Sequence, residues 1–184
     1  MDIIVKYIDE LLEKSTPDAP MWNIEKIRDG GVKSNWNYID GVMIKAVLQM
    51  YDVTKDEKYL KFADDFIDYR VHEDGTIEGY SVGEKNIDNV NAGKTLFELY
   101  DLTGKEKYRK AIDLVYSQIE IMPRCNNEAR SFWHKDIYPN QVWLDGLYMG
   151  QPFYLEYETK FNNRKNYPDI FAQFKYVIEN MKNP

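Results

Sequence analysis

Asp145 stands in the run Trp143-Leu144-Asp145-Gly146-Leu147-Tyr148-Met149, which reads as part of a largely apolar helix. A carboxylate nearly two turns into such a helix loses much of its water, and its protonated form is favoured. That is the condition for a general acid working near neutral pH, although a buried Asp can also simply bond a neighbouring helix terminus. Asp88 sits near a helix start between Asn86 and Asn89, where capping is the default role. His134 by itself reads as a structural loop histidine. Trp143 offers a flat face to a sugar ring. Gly146 and Gly150, four apart on one helical face, permit close approach of a neighbouring backbone or ligand. Cys125 has no activating neighbour and reads as an inert thiol. Two His and one Cys, far apart, provide no metal-ligand spacing, so no metal and no cofactor is expected.

The elements that must position these residues are helical. Ile3, Ile4, Ile8, Leu11 and Leu12 mark an amphipathic helix ending near Ser15-Thr16-Pro17, followed by a loop over 20–37. Ile39, Val42, Met43, Ala46, Val47, Met50 and Tyr51 then make a helix apolar around much of its circumference. Tyr59, Leu60, Ala63, Phe66 and Ile67 make a narrower stripe. Broad apolar surface implies an inner helix, and a narrow stripe an outer one. The alternation repeats: residues 51–59, Tyr-Asp-Val-Thr-Lys-Asp-Glu-Lys-Tyr, match 100–108, Tyr-Asp-Leu-Thr-Gly-Lys-Glu-Lys-Tyr, at an offset of 49. A degraded third copy runs from Tyr157-Glu158-Thr159 to Tyr167. A period of this size marks stacked αα-hairpins, which cannot bury their faces alone.

Inner helices are predicted near 38–52, 87–101 and 140–158, with Pro139 in the first turn of the last. The short Asp-x-Thr turns fall at one end of the stack. The long connections 70–86, which reads as a small turn or hairpin, and 121–140 fall at the other, where a site is expected.

Composition narrows the partners. A net charge of −7 without a basic block disfavours nucleic acid, and no apolar run reaches the ~20 residues of a membrane span. The N-terminus turns charged at once and there is one cysteine, so a cytoplasmic location is expected. Aromatic residues reach 15%, including 15 Tyr and 4 Trp, enough to line a sugar-binding cleft as well as a core.

Trp133-His134-Lys135, Tyr138-Pro139 and the 143–149 run, preceded by Asp88-Asn89, resemble the unsaturated glucuronyl and rhamnogalacturonyl hydrolases of glycoside hydrolase family 105. The Trp-Leu-Asp-Gly-Leu-Tyr-Met run is the specific part, and the resemblance covers essentially the whole chain. It implies an (α/α)6 barrel, of which residues 1–184 form the N-terminal half as a single domain. It also implies an oligosaccharide substrate with a 4,5-unsaturated uronic acid at its non-reducing end. Asp145 would then be the general acid and base. Asp88 would hold a sugar hydroxyl and keep Asp145 protonated by like-charge repulsion. His134 would place water or substrate and Trp143 would stack on the ring, with Lys135 and Tyr38 as further binding groups. A half-barrel exposes its inner face, so either the missing C-terminal half or a second copy in a homodimer is expected to cover it. Another (α/α)6 sugar enzyme, such as an epimerase, and a helical-repeat interaction module both stay open.

Overall fold

The computed structural model describes residues 2–24 and 33–181. Within them the chain is all-helical: α1 (Asp2–Glu13), α2 (Tyr38–Thr54), α3 (Glu57–Asp68), α4 (Ile87–Thr103), α5 (Glu106–Ile121), α6 (Leu144–Lys160) and α7 (Tyr167–Asn180). Among the described residues no helix is long and apolar enough to cross a membrane. Part of the predicted 20–37 loop lies outside the described residues, and the rest holds a short 3-10 turn at Met21–Asn23.

Helices α2, α4 and α6 lie side by side as an inner row, while α3, α5 and α7 pack behind them as an outer row. The central helix α4 is buried almost all round, from Ile87 and Val90 through Leu96, Phe97 and Leu99. Its outer neighbour α5 buries half of its residues, its apolar stripe running through Tyr108, Ala111, Ile112, Val115 and Ile119. This is the inner and outer division that the apolar patterns predict. Phe97 and Phe153 meet at 5.0 Å between α4 and α6, both fully buried, and each such ring contributes roughly 1.5–3 kcal/mol.

Glycine sets the spacing of the inner row at two places. A methyl on Gly41 of α2 would fall 2.5 Å from the Ala92 Cα of α4. One on Gly150 of α6 would fall 2.6 Å from Ile87 Cδ1. Any larger residue would push these helices apart.

The 49-residue repeat is reproduced in hydrogen bonds. Thr54 and Thr103 each donate through the hydroxyl to the carbonyl four residues back, at 2.7 and 2.6 Å. Tyr51 and Tyr100 each donate to the glutamate six residues on, Glu57 and Glu106. The first two inner helices each end on a left-handed residue, Lys55 at φ 57° and Gly104 at φ 68°. The third copy differs. There Glu158, buried at the α6–α7 junction, accepts from Tyr116, Asn162 and the Asn166 backbone at 2.8 Å each.

At the opposite end the two long connections meet each other. Segment 70–86 makes a small turn closed by the Val71–Ile77 bridge, as expected. Its last residue then bridges Asn86 to Lys135 of the second connection, and the Asp136 amide donates to the Lys85 carbonyl. Both long connections therefore share one mouth.

The two left-handed caps generate a pair of opposite stability changes. Nothing lies within 4 Å of a methyl on Gly104, so Gly104→Ala tests the conformation alone. It should cost about 1 kcal/mol, whereas Lys55→Gly should gain up to about 1 kcal/mol. Urea midpoints at unchanged m-value read both.

Candidate active site

The site is built on a backbone knot between α4 and α6. The Ile87 amide, in the first turn of α4, donates to the His134 carbonyl at 3.1 Å. The His134 amide donates to the Gln141 carbonyl at 2.8 Å, and the Gln141 amide to the Tyr138 carbonyl at 3.2 Å. Asn140 closes this loop in the left-handed region at φ 60°. A chain folded back in this way cannot be helical through the same residues. The third inner helix therefore begins at Leu144 rather than 140, and Pro139 lies in the turn rather than in the helix.

That shift corrects the reading of Asp145. It sits in the first turn of α6 and is exposed, so the desolvation inferred from its apolar neighbours is not present in this chain. Leu144 and Tyr148, its helical neighbours, are exposed with it.

The fold nevertheless brings three of the candidates together. Donor atoms of Asp88, His134 and Asp145 all lie within 4.8 Å of one another. Asp88 is buried in the first turn of α4, where Asn86 takes the capping role by accepting the Asp88 amide. One Asp88 oxygen is 2.8 Å from the Lys135 ammonium, and the other faces His134 Nε2 at 3.3 Å without hydrogen-bond alignment. Burial by itself would lower the Lys135 pKa, but the bond to Asp88 and its charge raise it above the ordinary lysine value. Lys135 therefore engages Asp88 rather than standing free for substrate. Tyr38, at the start of α2, is exposed. Its carbonyl accepts from Asn91, and its side chain takes no part in the contacts that join the cluster.

Trp143 lies flat against His134, with ring centres 4.2 Å apart at 8°, and Tyr138 lies parallel to the same indole at 5.3 Å and 14°. One indole face is thus occupied by the imidazole. Gly146 explains the close fit, because a methyl there would sit 3.0 Å from His134 Nδ1. His134 is 2% exposed, and burial drives its pKa below the ordinary value against the pull of Asp88 and Asp145.

One His and two carboxylates also form a donor set that a cation could use. Reasoning from His and Cys spacing missed it because its members come from three separate segments. The Lys135 ammonium already supplies a positive charge at Asp88. Sequence reasoning also passed over Lys94. Its ammonium sits 3.9 Å above the Tyr148 ring centre and donates to the Tyr148 carbonyl. Burial and then the neighbouring Lys45 bring its pKa down to about 8.

The lowered His134 pKa has a signed consequence. The unfolded chain binds a proton near pH 6.5 that folded His134 resists, so stability is present above ~6.5 and declines as pH falls toward the folded value. Between about pH 6.5 and 5, wild type should lose stability more steeply than His134→Gln. Urea titrations across that window measure the difference in slope.

Comparison with known proteins agrees with this architecture. Residues 14–184 match the profile of Glycosyl Hydrolase Family 88. The chain is also similar to a solved glycoside hydrolase of family 105 from C. acetobutylicum ATCC 824, at 43% sequence identity and a TM-score of 0.78. That match covers 86% of this chain but 44% of the solved one, so this chain spans less than half of that hydrolase. With an all-helical double row and a family profile that spans nearly its whole length, the chain belongs to glycosyl hydrolase family 88, as a fragment of an α/α barrel.

Proposed function

We propose that residues 1–184 form one half of an (α/α)6 hydrolase that removes a 4,5-unsaturated uronic acid from the non-reducing end of an oligosaccharide. The observation that carries this reading is the convergence of Asp88, His134 and Asp145 beneath Trp143. Such a sugar is a vinyl ether. Protonation of C4 places positive charge on C5 and the ring oxygen, water adds at C5, and the hemiketal collapses to release the next sugar. One carboxyl group can deliver the first proton and then take one from water.

The two acids divide the work through their neighbours. Asp88 is paired with Lys135 and acts as a fixed negative charge toward the oxocarbenium-like centre and the sugar hydroxyls. Asp145 has no cation beside it among the described residues and is the proton carrier. Single-acid chemistry of this kind is free of the carboxylate spacing rule for ordinary retaining and inverting glycosidases.

A second half-barrel completes the site. Val42, Leu102, Tyr148 and Leu155 stand exposed on the inner helices, and Tyr148 is about one turn along α6 from Asp145. Covering that face buries apolar surface and withdraws water from Asp145, which supplies the desolvation this half lacks. The missing half of the same barrel fits this role, and a second copy of the chain is the alternative occupant.

The assay follows the near-ultraviolet absorbance of an unsaturated disaccharide, which hydration abolishes. This chain is tested alone and joined to the second half of a family relative. Bleaching should require the second half, and Asp145→Asn should reduce it by ~10²–10⁴-fold. Asp88→Asn should reduce it less. Trp143→Ala should lower kcat as well as raise KM, because the indole also clamps His134. Near-normal bleaching by Asp145→Asn would remove it as the acid. A completed wild-type barrel that bleaches no unsaturated uronide would remove the substrate class.

A further inference from the structure

Behind His134, on the side away from Asp88, lies a small cavity of about 20 Å³ bordered by Trp133, His134, Gly146, Gln151 and the apolar side chains of Ile87 and Phe132. A buried water needs roughly 10–15 Å³ and two to four polar partners. Three of the residues that border it each carry a polar atom that is shut from solvent and has no hydrogen-bond partner in the protein: Trp133 Nε1, His134 Nδ1 and Gln151 Oε1.

Their chemistry is fixed by what surrounds them. The indole Nε1–H can only donate. The Gln151 amide nitrogen donates to Gln173 Oε1 at 2.9 Å, and that oxygen also accepts the Phe132 amide at 3.0 Å. Gln151 is thereby oriented with its own oxygen as the unpaired acceptor. Gln173 is held in turn by donating to Asp169, which Arg124 grips with two hydrogen bonds. Nδ1 of His134 faces Gly146, which borders the cavity.

We propose that one water molecule occupies this cavity and, held by Trp133 and Gln151, fixes His134 as its neutral Nε2–H tautomer. The water accepts from Trp133 Nε1–H and donates its two hydrogens to Gln151 Oε1 and His134 Nδ1. Every polar atom in the cavity is then satisfied. The ring proton is left on Nε2, the ring nitrogen that lies 3.3 Å from an Asp88 oxygen. The opposite tautomer would set a bare nitrogen against a carboxylate oxygen, and the water, accepting from both Trp133 and Nδ1–H, would be left with one hydrogen unpartnered. The charged groups beside the imidazole are Asp88, Asp145 and Lys135, and Asp88, 3.3 Å from Nε2, favours a proton on that nitrogen. Stacking against Trp143 keeps the ring in this plane.

A histidine held in this way donates toward the site and cannot take up a proton there. Within the hydrolase reading above, on which this consequence rests, His134 is a positioning residue for Asp88, and proton uptake from water falls to Asp145. Trp133 and Gln151 position through it.

The test uses the full ¹⁵N-labelled chain and long-range ¹H–¹⁵N spectra at pH 7. Only His72 accompanies His134, so a His134→Gln spectrum assigns both. His134 should show a protonated Nε2 and an unprotonated, hydrogen-bonded Nδ1. A crystal structure that resolves solvent should show one water within hydrogen-bonding distance of all three atoms. In Gly146→Ala, where the methyl enters the cavity, and in Gln151→Met, the Nδ1 resonance should move toward that of a free ring nitrogen. A protonated Nδ1 in wild type, a charged imidazole at pH 7, or a cavity without ordered solvent overturns the proposal. Where a variant fails to fold, the wild-type spectrum and structure still decide. Neither measurement involves substrate, so its failure is distinct from failure of the bleaching assay.

Discussion

The bridge between Asn86 and Lys135 is the constraint on which the rest of the site depends. It joins the last residue of one long connection to the middle of the next, just where α4 begins. From that single register the Ile87 amide reaches the His134 carbonyl, His134 comes to lie over the first turn of α4, and Lys135 reaches Asp88. Backbone pairing of this kind leaves little freedom to slide, because a shift of one residue would turn these side chains to the opposite face. The knot through Gln141 and Asn140 then carries the chain to Trp143, which lies flat on the imidazole and leads into α6.

Once the backbone is fixed, burial and pairing give three ionisable groups different surroundings. A lone cation, Lys135, is shared unequally: it touches Asp88 and leaves Asp145 without a partner among the described residues. His134 is buried deeply enough that its charged form is disfavoured although two acids stand beside it. Two carboxylates that would be alike in water thus differ in burial and in their contact with one ammonium.

The open face of the inner row accounts for what this half-barrel lacks. Gly41 lets α2 approach the backbone of α4, and Gly150 lets α6 close over the Ile87 side chain. Its concave side carries both apolar residues and charges, including Lys94 over Tyr148 and the Lys45–Glu98 pair. Such a surface suits a lumen that becomes an interior only when the ring is closed.

Local patterns in the sequence determine the helices themselves. Apolar periodicity separates inner from outer, and the copies at 51–59 and 100–108 place the short turns at one end, because both depend only on residues within a few turns of each other. Of the candidates that the resemblance singles out, the fold brings Asp88, His134 and Asp145 together. Where α6 begins is not legible, since Pro139 offers a sound local start that the tertiary hydrogen bond from His134 to Gln141 overrides. For the same reason the apolar neighbours of Asp145 do not reveal its exposure: whether Leu144 and Tyr148 point into a core depends on which helix lies opposite. The contact of Lys135 with Asp88, the Trp143–His134 stack and the cavity behind the imidazole join residues from separate segments. Only the folded chain decides them, because non-local distances are set by packing and no periodicity records them.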